Sequence, residues 1–126
     1  MKKLSVSVLD DKDEESVDIL MELGLKRNVA RTLVYLANAE DVTSRSIELG
    51  ADLRQPEVSI AMRTLREGDW VFVKDIKREG KGRPLKSYKL AVPIEDIINH
   101  LEAIKRQQAE KDLDNIKKLR KLSHMS

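Results

Sequence analysis

The sequence has no cysteine, only 3% aromatic residues and no apolar run of the roughly 18 residues that a membrane-spanning helix requires. The lack of cysteine excludes disulfides and thiolate metal sites, and it is typical of proteins in a reducing cytosol. Because aromatic residues are scarce, the core must consist mainly of Leu, Ile and Val. The N-terminus turns acidic too early for the apolar segment of a signal peptide. From these absences we expect a cytoplasmic protein without a membrane segment.

Residues that commonly bind metals or carry out catalysis are also few. The two histidines are His100, within a predicted long helix, and His124, near the end of the sequence. A closed metal site needs several converging donors, which two separated histidines do not supply. The sequence shows no pairing of a nucleophile with a base, no paired carboxylate cleft and no phosphate-binding loop. We therefore expect no metal, no cofactor and no enzymatic activity.

Charged residues, by contrast, make up 37% of the chain and are unevenly distributed. Residues 1–24 carry a net charge of −4, residues 25–92 a net charge of +5 and residues 93–126 a net charge of +1. Most of the central excess comes from Lys74, Lys77, Arg78, Lys81, Arg83, Lys86 and Lys89. Such a concentration creates a local positive field. The segment that contains it is either a solvated hairpin with protective lysines or a tip that contacts a polyanion.

Hydrophobic spacing predicts helices through the first half of the chain. Residues 1–16 are expected to form an acidic tail, followed by a helix over residues 16–24. A second helix is expected around the apolar stripe of residues 29–37. Ser44 is a suitable N-cap for a brief third helix that Gly50 ends.

The second half is predicted to contain a hairpin between two further helices. A helix over about residues 55–67 precedes the strands WVFVKDI and LKSYKL, which are joined by a glycine-rich tip. After Pro93, a helix from Ile94 to about Leu122 would be about 43 Å long. Its two apolar stripes are Ile94, Ile97, Ile98, Leu101 and Ile104, then Leu113, Ile116 and Leu119. Because its own chain cannot cover a helix of this length, a partner helix is expected.

The predicted order of helix, very short strand, short helix, turn, capped helix and hairpin is that of a winged helix-turn-helix. The segments LGLKRNVARTLVYL, VTSRSIELGADLRQPEVSIAMRTLREGDWV and GKGRPLKSYKL resemble the matching parts of archaeal TrmB-like regulators and of the broader MarR- and ArsR-like families. The resemblance covers about residues 17–92. It implies a mostly α fold with a small β-hairpin wing, a DNA-binding domain over residues 17–92 and a long dimerisation helix over residues 93–126.

The sequence departs from these families in two respects. It shows no large C-terminal effector domain of the kind with which full-length TrmB proteins bind sugars, so a sugar ligand is not implied. It also lacks the cysteines and clustered histidines of the ArsR-like metal sensors, so metal sensing is not implied. The sequence does not indicate whether the protein binds a small-molecule effector.

In this architecture the second helix of the motif enters the major groove of DNA, where its exposed N-terminal part meets the base edges. The inward positions of the helix over residues 55–67 are expected to be Val58, Ala61, Met62 and Leu65. The expected contacts with base edges or neighbouring phosphates are Arg54, Gln55, Ser59 and Arg63. Arg45, near the start of the preceding helix, is placed to contact the DNA backbone. The alternative for Arg54, Gln55, Ser59 and Arg63 is a solvated helix surface, and the alternative for Arg45 is a role in helix capping alone.

The hairpin tip is expected to contact the adjacent minor groove. Gly80 and Gly82 permit the positive φ angles that a tight tip needs, and Pro84 stiffens its exit. Arg83 is therefore held where its guanidinium can enter a narrow minor groove, whose negative potential is enhanced. The expected phosphate contacts of the wing are Arg78, Lys81 and Lys86. Because the basic region lacks interleaved aromatic rings, duplex DNA is favoured over single strands or RNA.

The function that the sequence predicts is that of a sequence-specific regulator that binds double-stranded DNA as a homodimer. The expected dimer interface is Ile94, Ile97, Ile98, Leu101, Ile104, Leu113, Ile116 and Leu119. An alternative is a winged-helix module that binds protein within a transcription assembly, with the acidic N-terminus and the second apolar stripe as its contact surfaces. The basic wing favours DNA over this alternative.

Overall fold

The computed structural model describes residues 8–39, 41–76 and 85–124. The chain divides into two compact units, Met1–Pro93 and Ile94–Ser126. In chain order the elements are α1 (Asp11–Glu22), α2 (Arg27–Ala37), α3 (Ser44–Gly50), α4 (Gln55–Glu67), β1 (Val71–Ile76), β2 (Leu85–Leu90) and α5 (Ile94–His124). This order confirms the predicted mostly α fold with a β-hairpin wing and a long C-terminal helix.

The first helix begins earlier than the sequence analysis predicts. Asp10 Oδ1 accepts a hydrogen bond from the Asp13 N–H (2.8 Å), and Asp13 Oδ2 accepts one from the Asp10 N–H (2.9 Å). These two bonds satisfy N–H groups that the helix itself leaves unpaired, and acidic side chains in the first turn favour the positive end of the helix dipole. The acidic run is therefore the start of α1, and the prediction of a tail up to residue 16 is wrong from Asp11 onward. Residues 1–7 lie outside the described part of the chain.

The α2 helix is the centre of the first unit. All its residues from Val29 to Leu36 are buried, and α1, α3, α4 and β2 contact it. Leu33, Ile47 and Leu65 are each completely buried at 0% exposure. Burying an aliphatic side chain of this size stabilises a fold by about 1.5–3 kcal/mol relative to leaving it exposed. A few such residues on three helices therefore supply much of the stability of this unit.

A buried arginine joins three helices of the first unit. Arg31 is 8% exposed, and its guanidinium donates to both carboxylate oxygens of Glu14, at 2.6 and 2.8 Å. Its Nε donates to the backbone oxygen of Ala51, at the end of α3, at 2.6 Å. The hydrogen bonds from Arg31 lower the pKa of Glu14 below its ordinary value of 4.5. This charge-assisted pairing holds α1, α2 and the end of α3 together.

The short helix α3 is capped one residue earlier than predicted. Thr43 is its N-cap, because Thr43 Oγ1 accepts from the Ser46 N–H and Ser46 Oγ accepts from the Thr43 N–H (3.2 and 2.8 Å). The prediction of Ser44 as the cap is wrong. A reciprocal pair needs a polar side chain three positions after the cap, and three positions after Ser44 the chain has the apolar Ile47. Ser44 is the first helical residue instead.

The hairpin is antiparallel and is attached to the helix-turn-helix by one bridge. Val71 pairs with Leu90 and Val73 with Tyr88. On the other side of β2, the Tyr88 N–H donates to the Val42 oxygen (2.7 Å) and the Val42 N–H donates to the Tyr88 oxygen (3.3 Å). The very short strand before α3 is therefore present as this single bridge, which fixes β2 beside the start of α3.

The second unit consists of α5 and spans 31 helical residues. Ile97 and Leu101 are buried, whereas the apolar side chains farther along the helix are exposed. The exposed large apolar residues of α5 are Ile98, Ile104, Leu113, Ile116, Leu119 and Leu122. Among the described residues, no helix combines the length and the apolar character that crossing a membrane would need.

Candidate nucleic-acid interface

One face of α4 is buried and the other is exposed, as the sequence predicts. Val58, Ala61, Met62 and Leu65 are all buried, which confirms the predicted inner face. The side chains of the exposed face recur every three or four residues, so they lie along one side of the helix. They are Gln55, Ser59, Arg63 and Arg66, and Ile60, Thr64 and Glu67 are exposed beside them. A polar face with two arginines therefore points away from the core of the first unit.

The N-terminus of α4 is held by residues that are not on its exposed face. The Glu57 carboxylate accepts a hydrogen bond from the Arg54 N–H at 2.8 Å and lies 3.8 Å from the Arg27 guanidinium. Asn28 of α2 donates to the backbone oxygen of Glu57 at 3.2 Å. Glu57 thus ties α4 to α2, which keeps this acidic side chain engaged within the protein. The side chain of Arg54, at the N-cap, is exposed.

Two of the predicted base contacts are bonded to each other. Gln55 Nε2 donates to Ser59 Oγ at 2.8 Å, across one turn of α4. The bond leaves the amide oxygen of Gln55 and the remaining hydroxyl valences of Ser59 for other partners. The pair is therefore oriented on the surface in advance of any contact with a ligand.

A groove lies between α4, the start of α3 and β2. Its volume is about 500 Å³, and it is lined by Ser44, Ser59, Met62, Arg63, Arg66, Glu67 and Tyr88. Two of these residues are bonded to each other, since the Ser44 hydroxyl donates to the Tyr88 hydroxyl at 3.5 Å. The groove combines two guanidinium groups and three hydroxyl groups with a single carboxylate, so its walls are mainly hydrogen-bond donors with an excess of positive charge.

Arg66 and Tyr88 are not among the candidate residues that the sequence indicates. Arg66 lies three positions after Arg63 and seven after Ser59, a spacing that places all three on one face, so the helical period contains this signal. Tyr88 reaches the groove because the bridge to Val42 holds β2 there. No sequence pattern indicates that contact.

The remaining candidates in the described residues are exposed, and two of them have acidic neighbours. Arg45 forms a salt bridge of 3.4 Å with Glu48, one turn later in α3. Lys86 is exposed on β2, and Asp75 is its partner across the hairpin. These neighbours offset part of the positive charge, so Arg45 and Lys86 contribute less to the field than their own charges suggest.

One further basic residue of the hairpin is engaged with an aromatic ring. The ammonium of Lys89 lies 5.3 Å from the centre of the Phe72 ring, on the opposite strand. Such a cation–π contact covers part of an exposed ring and leaves the ammonium charged. Three other candidates of the wing, Arg78, Lys81 and Arg83, lie outside the described residues.

No protein-family model and no curated protein matches the chain. Its fold is similar to that of TrmBL2, an archaeal chromatin protein, with a TM-score of 0.65 and 17% identity over 87% of this chain and 40% of the other. The chain thus spans less than half the length of TrmBL2. It is also similar to a possible transcriptional regulator from Methanosarcina mazei Go1, with a TM-score of 0.63 and 18% identity over 90% of this chain and 98% of the other.

Two further solved structures match with lower TM-scores. A point mutant of MepR from Staphylococcus aureus, solved bound to an oligodeoxyribonucleotide, has a TM-score of 0.52 and 16% identity over 82% of this chain and 75% of the other. A MarR-family regulator from Silicibacter pomeroyi has a TM-score of 0.54 and 15% identity, over 79% and 66% of the two chains. These likenesses confirm the predicted resemblance at the level of fold. The chain has the winged helix-turn-helix fold of archaeal TrmB-like and MarR-family transcriptional regulators.

Proposed function

We propose that the protein is a transcriptional regulator that binds double-stranded DNA through the exposed face of α4 and the groove beside it. The observation that carries this proposal is an exposed row of side chains on a helix whose other face is buried, namely Gln55, Ser59, Arg63 and Arg66. A helix of this kind fits the major groove, and its amide and guanidinium groups match the hydrogen-bonding edges of purines. Ile60, 48% exposed on the same helix, is suited to contact a thymine methyl group.

Contacts with the DNA backbone are proposed for residues on both sides of α4. Arg54 and Arg45 precede and flank it, and Arg66 lies in the groove beside β2. In the wing, Lys86 and three of the basic residues outside the described part of the chain, Arg78, Lys81 and Arg83, are proposed to bind phosphates or the adjacent minor groove. Such contacts release counterions, so the affinity should fall steeply as salt concentration rises.

We further propose that the protein acts as a homodimer through α5. The large apolar side chains available to a partner include Ile98, Ile104, Leu113, Ile116 and Leu119, all exposed in the single chain, and Ile94 extends the same surface. Ile97 and Leu101 are also predicted interface residues, but they are buried in the single chain and would add little newly buried area. An apolar helix surface of this length is usually covered by a second helix. A dimer would present two copies of α4 to successive turns of a palindromic site.

The MepR mutant solved with an oligodeoxyribonucleotide supports this proposal by analogy of fold. The competing function is protein binding within a transcription assembly. The two functions make different predictions for Arg63. If this surface binds protein rather than DNA, replacing Arg63 should not change the affinity for DNA.

A DNA-binding experiment tests the proposal directly. A random pool of duplexes is first enriched on the wild-type protein, and the affinity for an enriched duplex and for the starting pool is then measured by fluorescence anisotropy over a range of salt concentrations. Arg63→Ala should weaken binding to the enriched duplex by about tenfold to a hundredfold, because a bidentate contact with a base contributes about 1–3 kcal/mol. It should weaken binding to the starting pool less, so that discrimination between the two falls.

Two further variants distinguish the possible outcomes of this experiment. Arg83→Ala should weaken binding to both DNAs about equally and reduce the salt slope by about one, as expected for a residue near the backbone. Lys12→Ala removes one positive charge from the exposed surface of α1, which does not line the groove, and should change neither affinity. Equal affinities of wild type, Arg63→Ala and Arg83→Ala would reject DNA binding by this surface and favour the protein-binding alternative.

A further inference from the structure

One face of α5 has a spacing that reads the same in both directions along the helix. Its first half has the spacing four, three, four in Ile94, Ile98, Leu101 and Lys105. Its second half repeats the spacing four, three, four in Asp112, Ile116, Leu119 and Ser123. The point of symmetry lies between Gln108 and Ala109. These ten positions, which we call the α5 seam, occupy a strip of the helix about 100° wide at 3.6 residues per turn.

Most of the α5 seam is free surface in the single chain. Ile98, Ile116 and Leu119 are 46%, 44% and 66% exposed. The four central residues, Lys105, Gln108, Ala109 and Asp112, are exposed as well, whereas Leu101 is buried. The seam therefore has an apolar segment at each end and a polar centre, all on one side of the helix.

We propose that the α5 seam pairs with the same seam of a second copy in antiparallel orientation, with the two-fold axis passing between Gln108 and Ala109. This inference rests on the homodimer put forward as part of the proposed function and defines its geometry. In this arrangement Ile98 lies opposite the partner's Leu119, and Leu101 opposite the partner's Ile116. Ile98 and the partner's Leu119 then cover each other, Leu101 adds little newly buried area because it is already buried in its own chain, and no apolar residue of the seam faces a charge.

The charges at the centre favour this orientation. Antiparallel pairing places Lys105 opposite the partner's Asp112, and the two-fold axis repeats this pair of opposite charges. A parallel dimer in register would instead place Lys105 opposite the same lysine of the partner and Asp112 opposite the same aspartate. Like charges that face each other destabilise a helix pair, whereas complementary charges set its orientation and partner.

The two charged residues are available for such pairs. Asp112 accepts a hydrogen bond from Gln108 at 2.9 Å, which leaves its second carboxylate oxygen for the partner's lysine. None of the salt bridges among the described residues includes Lys105. The register is also restricted, because a shift of one heptad would place Lys105 opposite either the partner's Leu119 or the partner's Lys105. A polar layer between apolar layers is a recognised means of fixing the register of paired helices.

Disulfide trapping tests the orientation. Because the sequence contains no cysteine, a disulfide can form only between the introduced thiols. Ala109→Cys should crosslink with itself under mild oxidation because position 109 lies beside the axis. Ile98→Cys alone and Leu119→Cys alone should not crosslink, since in each dimer the two thiols would lie about 31 Å apart. A mixture of these two variants should crosslink with each other, because a disulfide needs Cα atoms within about 7 Å. Efficient crosslinking of Ile98→Cys and Leu119→Cys each with itself would overturn the proposal in favour of a parallel pair.

Charge reversal provides a second measurement that does not depend on thiols. Lys105→Asp and Asp112→Lys each convert two attractive pairs into two repulsive ones in the antiparallel dimer, so each should weaken dimerisation by about tenfold in sedimentation experiments. The double variant Lys105→Asp/Asp112→Lys should restore wild-type dimerisation. Single variants with unchanged dimerisation, or a double variant that is not restored, would overturn the proposed register.

The outcomes separate this inference from the proposed function. A dimer that is crosslinked in another register or orientation would overturn only the antiparallel pairing of the α5 seam. A wild-type protein that sediments as a monomer at every concentration would overturn both the seam and the proposed homodimer. Binding of the same variants to the enriched duplex tests DNA recognition independently of either result.

Discussion

In the first unit, Leu33, Ile47 and Leu65 are completely buried, whereas in α5 Leu113 and Leu119 are 60% and 66% exposed. Both regions are helical and both carry apolar residues at helical spacing, so periodicity alone does not distinguish them. The difference is that α2 is surrounded by other helices of its own unit, while most of α5 has no cover within the described part of the chain. The comparison shows that large apolar side chains of the first unit are covered within one copy of the chain, whereas most of those on α5 are exposed.

Truncating one apolar residue in each region tests this difference most directly. Leu33→Ala should lower the free energy of unfolding of the first unit by about 3 kcal/mol, because it removes a buried side chain and leaves a cavity. Unfolding can be followed in urea by the fluorescence of Trp70, the single tryptophan, which lies in this unit. Leu49→Ala, on the exposed surface of α3, is the matched control and should cost less than about 0.5 kcal/mol.

Leu119→Ala applies the same truncation to α5. It should leave the Trp70 transition of the monomer within about 0.5 kcal/mol of wild type, and its effect should appear in dimerisation measured by sedimentation. A loss of monomer stability comparable to that of Leu33→Ala would contradict the distinction between the two regions.

The ion pair of Arg31 and Glu14 provides another test of this difference, because it belongs to the first unit alone. Glu14→Gln should cost about 1 kcal/mol at neutral pH; the carboxylate is 45% exposed, so the full value for a buried pair does not apply. The folded pKa of Glu14 is lowered, so its contribution is complete above pH 4.5 and is lost as the pH falls through the folded pKa. The difference between wild type and variant should therefore shrink in acid.

Urea titrations at a series of pH values check this expectation. Glu15→Gln removes a neighbouring exposed carboxylate of α1 and serves as the control, with little effect expected at any pH. A difference between wild type and Glu14→Gln that persisted unchanged well below pH 4.5 would contradict the assignment to the ionised pair.

The smallest expected effect concerns a polar group within the same core. Thr32 is fully buried in α2, and its hydroxyl has no hydrogen-bond partner among the described residues. Thr32→Val should raise the free energy of unfolding by about 0.5–1 kcal/mol, since it replaces an unpaired buried hydroxyl with a methyl group of similar size. Thr64→Val is the matched control, because Thr64 is exposed on α4 and bonds to the Ile60 oxygen, so no gain is expected. Equal effects of the two substitutions would contradict the interpretation.

Much of the fold can be predicted because its signals are local. The predicted bounds of α4 are correct, since Pro56 favours the first turn and Gly68 ends the helix. Its inner face follows from a spacing of three and four. The start of α1 also has a local signal, because Asp10 and Asp13 have the spacing of a capping pair. An acidic run of this kind equally fits a solvated tail, which is why the charge pattern alone gives the wrong boundary.

Other features depend on residues that are far apart in sequence. Arg31 and Glu14 are 17 positions apart on different helices, and nothing in their neighbourhoods indicates that they meet. The groove beside α4 includes Tyr88 only because β2 bridges to Val42. Of the candidate DNA contacts, the structure brings Ser59 and Arg63 together in that groove. It adds Arg66 to them and bonds Gln55 to Ser59.

The amino-acid sequence is enough to predict which residues of α4 and α5 lie on one face of each helix, because the helical period depends only on local backbone geometry. It also determined the concentration of basic residues between β1 and β2. The folded chain is needed to show which exposed side chains share a groove and which apolar side chains are already covered. Both of those depend on packing between elements that are distant in the chain, and the packing energy of a side chain is set by its neighbours in space rather than by its neighbours in sequence.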